Sequence, residues 1–313
     1  MSRFQYRFCS WAFAVLFSTG MWAQIKLPAA WQSSLVRITD KGELVYYPDK
    51  EGNTIPDFSR VGYHHGDKNI PVYPVTITVS PASGDSHAVI QQAIDKVSRM
   101  KPDKDGHRGT VLLKRGTYKV SKSILITTGG IVLQGEGGNV NETRLLATGK
   151  KRYSLIKVTG NGGAEEISGT RVKITDTFVP VGTHSFRVSS ANGFRKGDRI
   201  MLYRPGTSQW IHDLKMDQIV ERKGTRQWTP EEYNLTFERE ITRIEGDRIY
   251  IDNPVVMQMD DKYGGGEIYK YTFDGRIDEV GVTDLCLESE FEHYEDNNHG
   301  WIGVEFDKVE NCW

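Results

Sequence analysis

The sequence predicts a mainly β protein that is built from many short strands, with one clear helix ahead of them. Three observations support this prediction. Short runs rich in β-branched residues or Leu follow one another between residues 110 and 146. Turns that contain Gly, Asn or Ser separate these runs, and no second long helix interrupts them. A sheet of alternating strands and helices is therefore not expected.

The first residues have the composition of a secretory signal peptide. Arg3 and Arg7 precede an apolar run from Phe8 to Phe17, and small and polar residues follow as far as Ala23. The apolar run is shorter than the roughly 20 residues that cross a bilayer. We therefore predict that residues 1–23 are a cleaved signal peptide and that the protein is secreted or periplasmic, with no membrane span left after cleavage. An uncleaved anchor is the alternative.

Charge and cysteine content narrow the class of protein further. The chain has 40 basic and 41 acidic residues and a formal net charge of −1, without the basic patch that a nucleic-acid partner leaves. Cys286 and Cys312 remain after cleavage, about 26 residues apart, which is close to one repeat of a solenoid. We expect them to stack one coil apart as buried, unbridged thiols, with a disulfide as the alternative.

The elements of the first half follow in order. Residues 24–80 are predicted to be an extended lead-in that ends in a half-buried strand at 75–79. Asp85 or Ser86 can then cap a helix. Its apolar residues recur at helical spacing: Val89, Ile90, Ala93, Ile94 and Val97. Strand-like runs follow at 110–113, 118–120, 124–126, 131–133 and 144–146.

The helix at 88–95, the run 111–118 and the segments 131–137 and 142–145 together resemble the N-terminal module of the pectate lyase superfamily. Residues 273–313 resemble these proteins more loosely. The resemblance implies a right-handed parallel β-helix whose N-terminal helix caps the first coil. A stacked-coil fold needs such a cap, because its first coil would otherwise expose apolar side chains. A β-sandwich with one additional helix is the alternative.

Residues 81–161 are accordingly predicted to hold the capping helix and first coils, and 162–271 an inserted antiparallel β module. Turns at Gly197-Asp198 and Gly246-Asp247 indicate that module, and a polar loop at 205–228 lies within it. Coils are expected to resume in residues 272–313, with a further one opening at Ile302. No closing cap precedes Trp313, so we expect the β-helix to be truncated at its C-terminus.

The resemblance implies an exported carbohydrate-active protein that cleaves an extracellular polysaccharide or oligosaccharide. Two chemistries fit it. In β-elimination a base removes the proton next to a carboxylate, and in glycoside hydrolysis two carboxylates act as acid and base. Elimination is slightly favoured. The alternative is a non-catalytic carbohydrate-binding or adhesin-like β-helix protein.

The segment 288–301 is the first candidate for the functional site, because it joins two strand-like runs and carries five carboxylates, two histidines and a tryptophan. We predict catalytic roles for His299, Asp296, Glu292 and His293, and sugar stacking on Trp301. The carboxylates are also possible ligands for Ca²⁺. An ordinary solvated acidic loop is the alternative.

Further substrate-binding residues are predicted outside this segment. Trp210 is expected to stack on a sugar or, alternatively, to anchor the β module. Asp260 and Asp261 stand before Gly264, Gly265 and Gly266, where glycine permits close approach of a ligand. An Asp-Asp pair in an ordinary turn is the alternative there.

Overall fold

The structure is a computed structural model, and it describes residues 33–313. The predicted signal peptide lies outside the described residues. The chain divides after Tyr47 into two compact units, which are described separately. In the described part of the first, β1 (Val36–Ile38) and β2 (Leu44–Tyr46) form an antiparallel hairpin. No helix in residues 33–313 has both the length and the apolarity needed to cross a membrane.

The second unit begins with β3 (Val75–Val79) and α1 (His87–Ser98), so the predicted helix forms. Its apolar residues follow the helical period and therefore share one face. Ile90, Ile94 and Val97 on this face are almost completely buried. Burial of each such side chain stabilises the fold by about 1.5–3 kcal/mol. The Asp85 carboxylate accepts a hydrogen bond from the His87 N–H at the start of the helix.

Two successive turns of chain follow the helix, and each contributes three strands. The first turn holds β4 (Gly109–Leu113), β5 (Gly116–Val120) and β6 (Ile124–Ile126). The second holds β7 (Ile131–Gly135), β8 (Thr143–Ala147) and β9 (Tyr153–Thr159). The two turns pair in parallel, β4 with β7, β5 with β8 and β6 with β9. Successive turns thus add one strand to each of three parallel sheets.

The parallel register aligns apolar residues of successive turns. Val111 lies opposite Leu133, and Tyr118 lies opposite Leu145. All four side chains are completely buried in one core. Helix α1 contacts β3, β4, β6 and β7, and its buried face belongs to the same core. The helix therefore covers apolar side chains of the first turns.

An antiparallel sheet with its own core occupies the middle of the chain. Its pairings are all antiparallel, and β14 lies between β15 and β18. The elements of this region are β10 (Glu165–Glu166), β11 (Val172–Lys173), β12 (Phe178–Val179), β13 (Ser185–Arg187), β14 (Arg199–Arg204), α2 (Ser208–Asp213), β15 (Leu235–Glu245), β16 (Arg248–Ile251), β17 (Met259–Asp260) and β18 (Glu267–Thr272).

Two details of this region differ from the prediction. Gly246-Asp247 closes the hairpin of β15 and β16, but Gly197-Asp198 does not join paired strands, because β13 pairs with β16 and not with β14. The polar loop at 205–228 contains the short helix α2. The Thr207 side chain caps this helix by accepting a hydrogen bond from the Trp210 N–H.

The last part of the chain returns to the parallel sheets. Its strands are β19 (Ile277–Asp278), β20 (Gly281–Thr283), β21 (Cys286–Ser289), β22 (Gly300–Asp307) and β23 (Val309–Glu310). Strands β20, β21 and β22 pair in parallel with β7, β8 and β9. Ile302 therefore belongs to the turn that starts at Ile277, and the expectation of a new coil at Ile302 is wrong. The next turn begins at β23, which pairs with β19.

The expected stacking of the two cysteines is also wrong. Cys286 lies opposite Arg144 in the register of β21 and β8. Cys312 lies beside Val280, because Trp313 donates its N–H to the Val280 carbonyl and accepts one from Val282. The loop between β21 and β22 lengthens this turn, so sequence spacing does not give the stacking partner. Both cysteines are free thiols.

We expect Cys312 to react slowly with iodoacetamide at about pH 8. Burial raises the pKa of its thiol to about 11, and only the thiolate is nucleophilic. Mass spectrometry of the labelled peptides measures the rate at each cysteine, and protein unfolded in denaturant is the control in which Cys312 reacts freely. Rapid labelling of Cys312 in the folded protein would contradict the raised pKa of this half-buried thiol.

The turn before β7 depends on Gly130. This residue has a φ of +75°, and a Cβ on it would lie 2.1 Å from the Gly106 carbonyl oxygen. We expect Gly130→Ala to lower the free energy of unfolding by about 2 kcal/mol or more, since it combines left-handed strain with a backbone clash. Gly163→Ala is the control, because a Cβ there meets nothing within 4 Å. Equal free energies of unfolding for the two variants in urea titrations would show that the turn does not depend on Gly130.

Candidate active site beside Trp301

The loop between β21 and β22 carries most of the predicted site residues, and Asp296 shapes this loop. Its carboxylate accepts hydrogen bonds from the backbone N–H groups of Asn298 at 2.7 Å and Glu292 at 3.1 Å. These two bonds hold the pKa of Asp296 below its ordinary value. Asp296 thus forms a turn as a carboxylate, and this geometry makes it a poor proton donor.

The other two acid–base candidates of this loop lie at the surface. Glu292 is exposed, and its carboxylate lies 3.4 Å from Nζ of Lys150, an exposed ion pair of little energetic weight. His293 is exposed, and its carbonyl accepts a hydrogen bond from the Asp296 N–H. Within residues 33–313, the hydrogen-bond contacts of the His299 ring are with Ser289 and Gly300 and not with Asp296, Glu292 or His293.

His299 is half-buried and fixed in place. Its Nδ1 lies 2.9 Å from the Gly300 carbonyl oxygen and 3.0 Å from Oγ of Ser289. A carbonyl oxygen can only accept, so the neutral imidazole carries its proton on Nδ1. The lone pair is then on Nε2, which makes this atom the proton acceptor of the ring.

Trp301 is held as a half-exposed platform. Its side chain is 51% exposed, although Nε1 donates to the Asn297 carbonyl at 3.2 Å. The guanidinium of Arg152 lies 4.0 Å from the centre of the indole ring. Arg152 Nε also donates to the Asn297 carbonyl at 3.4 Å. A hydrogen bond and a cation–π contact thus fix an aromatic ring that is still accessible to solvent.

A cavity of about 190 Å³ lies beside Trp301. Trp301 lines it, together with Ser289 and Gly300, the two residues that Nδ1 of His299 contacts. The remaining lining residues are Ala147, Leu155, Leu287, Glu288, Ile302 and Gly303. Of the predicted catalytic and sugar-binding residues, Trp301 therefore lines the cavity, and the centre of the His299 ring lies 6.4 Å from that of the Trp301 ring.

Arg152 and Ser289 are parts of this site that sequence reasoning missed. Arg152 lies in the run Lys150-Lys151-Arg152 before β9, and β22 pairs with β9. The basic run is a signal visible in the sequence, but its position beside Trp301 follows only from the strand pairing.

The carboxylates of this loop do not fit a Ca²⁺ site. Glu288 accepts a hydrogen bond from Arg144, Glu292 pairs with Lys150, and Asp296 binds backbone N–H groups. Calcium needs six to eight oxygen ligands around one point. Within residues 33–313, no group of three or more His, Cys, Asp or Glu side chains could hold a metal ion.

The predicted site residues of the antiparallel region lie elsewhere and do not line this cavity. Asp260 Oδ1 accepts a hydrogen bond from the Lys262 N–H and starts a short 3₁₀ helix at Asp261–Tyr263. The Asp261 carbonyl accepts one from the Gly264 N–H. This is the ordinary turn that the sequence left open as an alternative. Trp210 lies in α2, half-buried among other aromatic rings.

A second group of polar residues was not foreseen, and it surrounds Glu279. This side chain is only 8% exposed. It accepts hydrogen bonds from Tyr63 Oη at 2.7 Å and Tyr73 Oη at 3.3 Å, and Nε2 of His64 lies 2.6 Å away. Burial opposes the charge, but the bonds from Tyr63 and His64 outweigh it, and the pKa of Glu279 lies below its ordinary value. The group ties residues 63–73 to the turn between β19 and β20.

No family model and no curated protein matches this chain. Among solved structures, the chain is similar to the Gp54 tailspike of Acinetobacter baumannii bacteriophage AP22, solved in complex with A. baumannii capsular saccharide, with 14% identity and a TM-score of 0.33. It is also similar to the tailspike gp61 of Pseudomonas phage phi297, with 14% identity and a TM-score of 0.31. A third similar structure is the tailspike gp49 of Pseudomonas phage LKA1, with 17% identity and a TM-score of 0.31.

These alignments cover 74%, 71% and 64% of this chain, but only 32%, 30% and 28% of the tailspikes. The chain thus spans about a third of the length of the solved structures that it matches. At this level of similarity, the fold rests on the strand pairing of the chain itself, which makes it a mainly β protein with parallel and antiparallel sheets.

Proposed function

We propose that this protein is an exported polysaccharide lyase that binds a sugar ring on Trp301 and uses His299 as its base. The observation that carries the proposal is the half-exposed indole of Trp301, which lines a cavity whose residues Ser289 and Gly300 contact His299. Flat aromatic rings suit the apolar faces of sugars. A ring that is already held by Arg152 and Asn297 loses little freedom when a ligand stacks on it.

Arg152 favours an acidic sugar as the ligand. It is exposed, and none of the ion pairs among the described residues includes its guanidinium. Guanidinium groups bind carboxylates with two parallel hydrogen bonds. A uronate carboxylate bound there would have its charge offset, which acidifies the neighbouring C–H group that elimination must deprotonate.

The chemistry of the loop favours elimination over hydrolysis. In elimination, Nε2 of His299 takes the proton next to the carboxylate, a C=C bond forms, and the C–O bond to the leaving sugar breaks. The leaving oxygen then takes a proton from water. Hydrolysis needs a carboxylic acid that keeps its proton, and the lowered pKa of Asp296 opposes that role.

The fold of the proposed enzyme is a right-handed parallel β-helix of the pectate lyase type. The three parallel sheets and the contacts of α1 with β3, β4, β6 and β7 support this proposal, with α1 as the capping helix. Residues 162–271 are then an inserted module and residues 24–80 a lead-in. Cleavage of residues 1–23 would release the protein into the periplasm or the medium.

The proposal is tested with the full-length protein on polygalacturonate, alginate, hyaluronan and neutral glucans. Unsaturated products detected by ultraviolet absorbance support a lyase, and new reducing ends without them indicate a hydrolase. Binding without cleavage favours the alternative of a non-catalytic binding protein. If no polysaccharide is bound or cleaved, the proposed function is wrong.

Trp301→Ala tests the platform. We expect it to raise KM about tenfold, because stacking contributes about 0.5–1.5 kcal/mol beyond its contact area. Tyr294→Ala is the matched control, since Tyr294 is an aromatic residue of the same loop that is 97% exposed. An unchanged KM in the Trp301 variant, or an equal rise in both variants, would count against the platform.

A further inference from the structure

Arg204, at the end of β14, is a buried charge without a carboxylate partner. It shares the side of the strand that carries Ile200 and Leu202, and it is only 3% exposed. No ion pair of the described residues includes it, and its recorded hydrogen bond is a long one, from Nη1 to the Pro205 carbonyl at 3.4 Å. Buried arginines are normally paired, because an uncompensated charge is costly to bury. Arg204 has no fully buried side-chain nitrogen that lacks a hydrogen-bond partner, so any donor of its guanidinium that has no protein partner reaches solvent.

An aromatic cluster adjoins this charge through Trp210. The Arg204 guanidinium lies 4.4 Å from the centre of the Trp210 ring. Trp210 packs at 6.2 Å from Trp228 and 6.0 Å from Tyr233, and the last two rings stack at 3.9 Å. Trp210, Trp228 and Tyr233 are all half-buried, so parts of the cluster are open to solvent.

The carboxylate of the adjoining helix is already occupied. Asp213 of α2 accepts hydrogen bonds from Lys262 at 2.7 Å, Tyr263 at 2.8 Å and Gln209 at 2.8 Å. Its charge is therefore balanced by Lys262, and it does not pair with Arg204. In the corner formed by Arg204, Trp210, Trp228 and Tyr233, the contacts described above that offset the Arg204 charge are thus the Trp210 ring and the Pro205 carbonyl, and neither is an anion.

We propose that this corner binds the anionic group of an acidic saccharide, with Arg204 holding the carboxylate or sulfate and the ring of Trp210 contacting the sugar. This is a second saccharide site, carried by the antiparallel sheet and distinct from the cavity at Trp301. Carboxylate and sulfate share the planar pairs of oxygen acceptors that a guanidinium binds. The adjoining aromatic cluster suits a sugar and not an isolated inorganic ion.

The test uses the Trp301→Ala protein, so that binding at the first site is weakened and the two sites are distinguished. Calorimetry is carried out with a galacturonate oligomer, its neutral carboxyl-reduced form, dextran sulfate and dextran. We expect the Trp301→Ala protein to bind at least one acidic polymer at least tenfold more tightly than its neutral counterpart, and binding to weaken as salt is added. The galacturonate and sulfate arms identify which anion is preferred.

Arg204→Gln in this background is expected to weaken acidic binding at least tenfold, and Arg204→Lys to give an intermediate loss, because lysine keeps the charge but not the planar fork. Arg187→Gln, which removes an exposed charge from the same sheet, is the control and should bind as its parent does. If Arg204→Gln does not fold, the affinity of the Arg204→Lys variant for the acidic polymer tests the proposal instead. The proposal is overturned if acidic and neutral polymers bind equally, if neither binds, or if Arg204→Lys binds as its parent does.

Discussion

Replacing His299 by alanine is expected to lower kcat on the polysaccharide substrate by about 10² to 10⁴-fold, the usual contribution of a positioned general base. The Gly300 carbonyl keeps the proton of the neutral ring on Nδ1, so Nε2 is the atom that accepts the substrate proton. Trp301 and the cavity remain, and KM should change little. Initial rates of unsaturated product formation measure both constants.

His293→Ala is the matched control for this prediction. The two histidines belong to one loop, but His293 is exposed, whereas His299 is half-buried beside Ser289. We expect the His293 variant to keep nearly full activity. A large loss in the His293 variant together with normal turnover in the His299 variant would reverse the assignment of the base.

The second large effect is expected from replacing Glu279. It concerns the stability of the fold and not kcat. Glu279→Ala should lower the free energy of unfolding by about 3 kcal/mol, because it leaves the Tyr63 hydroxyl and the His64 ring without their acceptor, whereas Tyr73 keeps the backbone carbonyl of residue 279. Alanine keeps a Cβ at this residue of φ 56°, so the backbone strain is unchanged. Urea unfolding followed by circular dichroism measures the difference.

Glu279→Gln separates charge from hydrogen bonding. The folded pKa of Glu279 lies below its ordinary value of 4.5, so the carboxylate stabilises the fold fully above that pH. This stabilisation is lost as the pH falls through the folded pKa. The wild type should therefore lose more stability than Glu279→Gln between about pH 5 and pH 3. Parallel pH profiles of the two proteins would show that the charge at Glu279 contributes nothing.

Local features of the chain were predictable from the sequence. The spacing of Ile90, Ala93, Ile94 and Val97 predicts α1, and the structure buries these four residues. Most of the short strands also form where β-branched residues cluster. These signals are local, because side-chain periodicity reflects the helix or strand in which a residue lies.

The geometry of the candidate segment was predictable only in part. Residue types alone indicated the loop at 288–301, but they gave equal weight to Asp296 and His299. The backbone hydrogen bonds of Asp296 and the carbonyl contact of His299 are the contacts that distinguish these two residues. Such contacts depend on how the loop folds back on itself, and the order of residue types does not specify this.

The sequence by itself determined the mainly β class, the helix α1 ahead of the parallel strands, and the loop that carries His299 and Trp301. Only the tertiary structure decided which turns pair, and therefore that Arg152 lies under Trp301, that Cys312 lies beside Val280, and that Tyr63 reaches Glu279. The physical reason is the same in each case. These contacts join residues far apart in the chain, and the register of the sheets sets them. That register depends on loop lengths and on packing across the whole core, which no local pattern records.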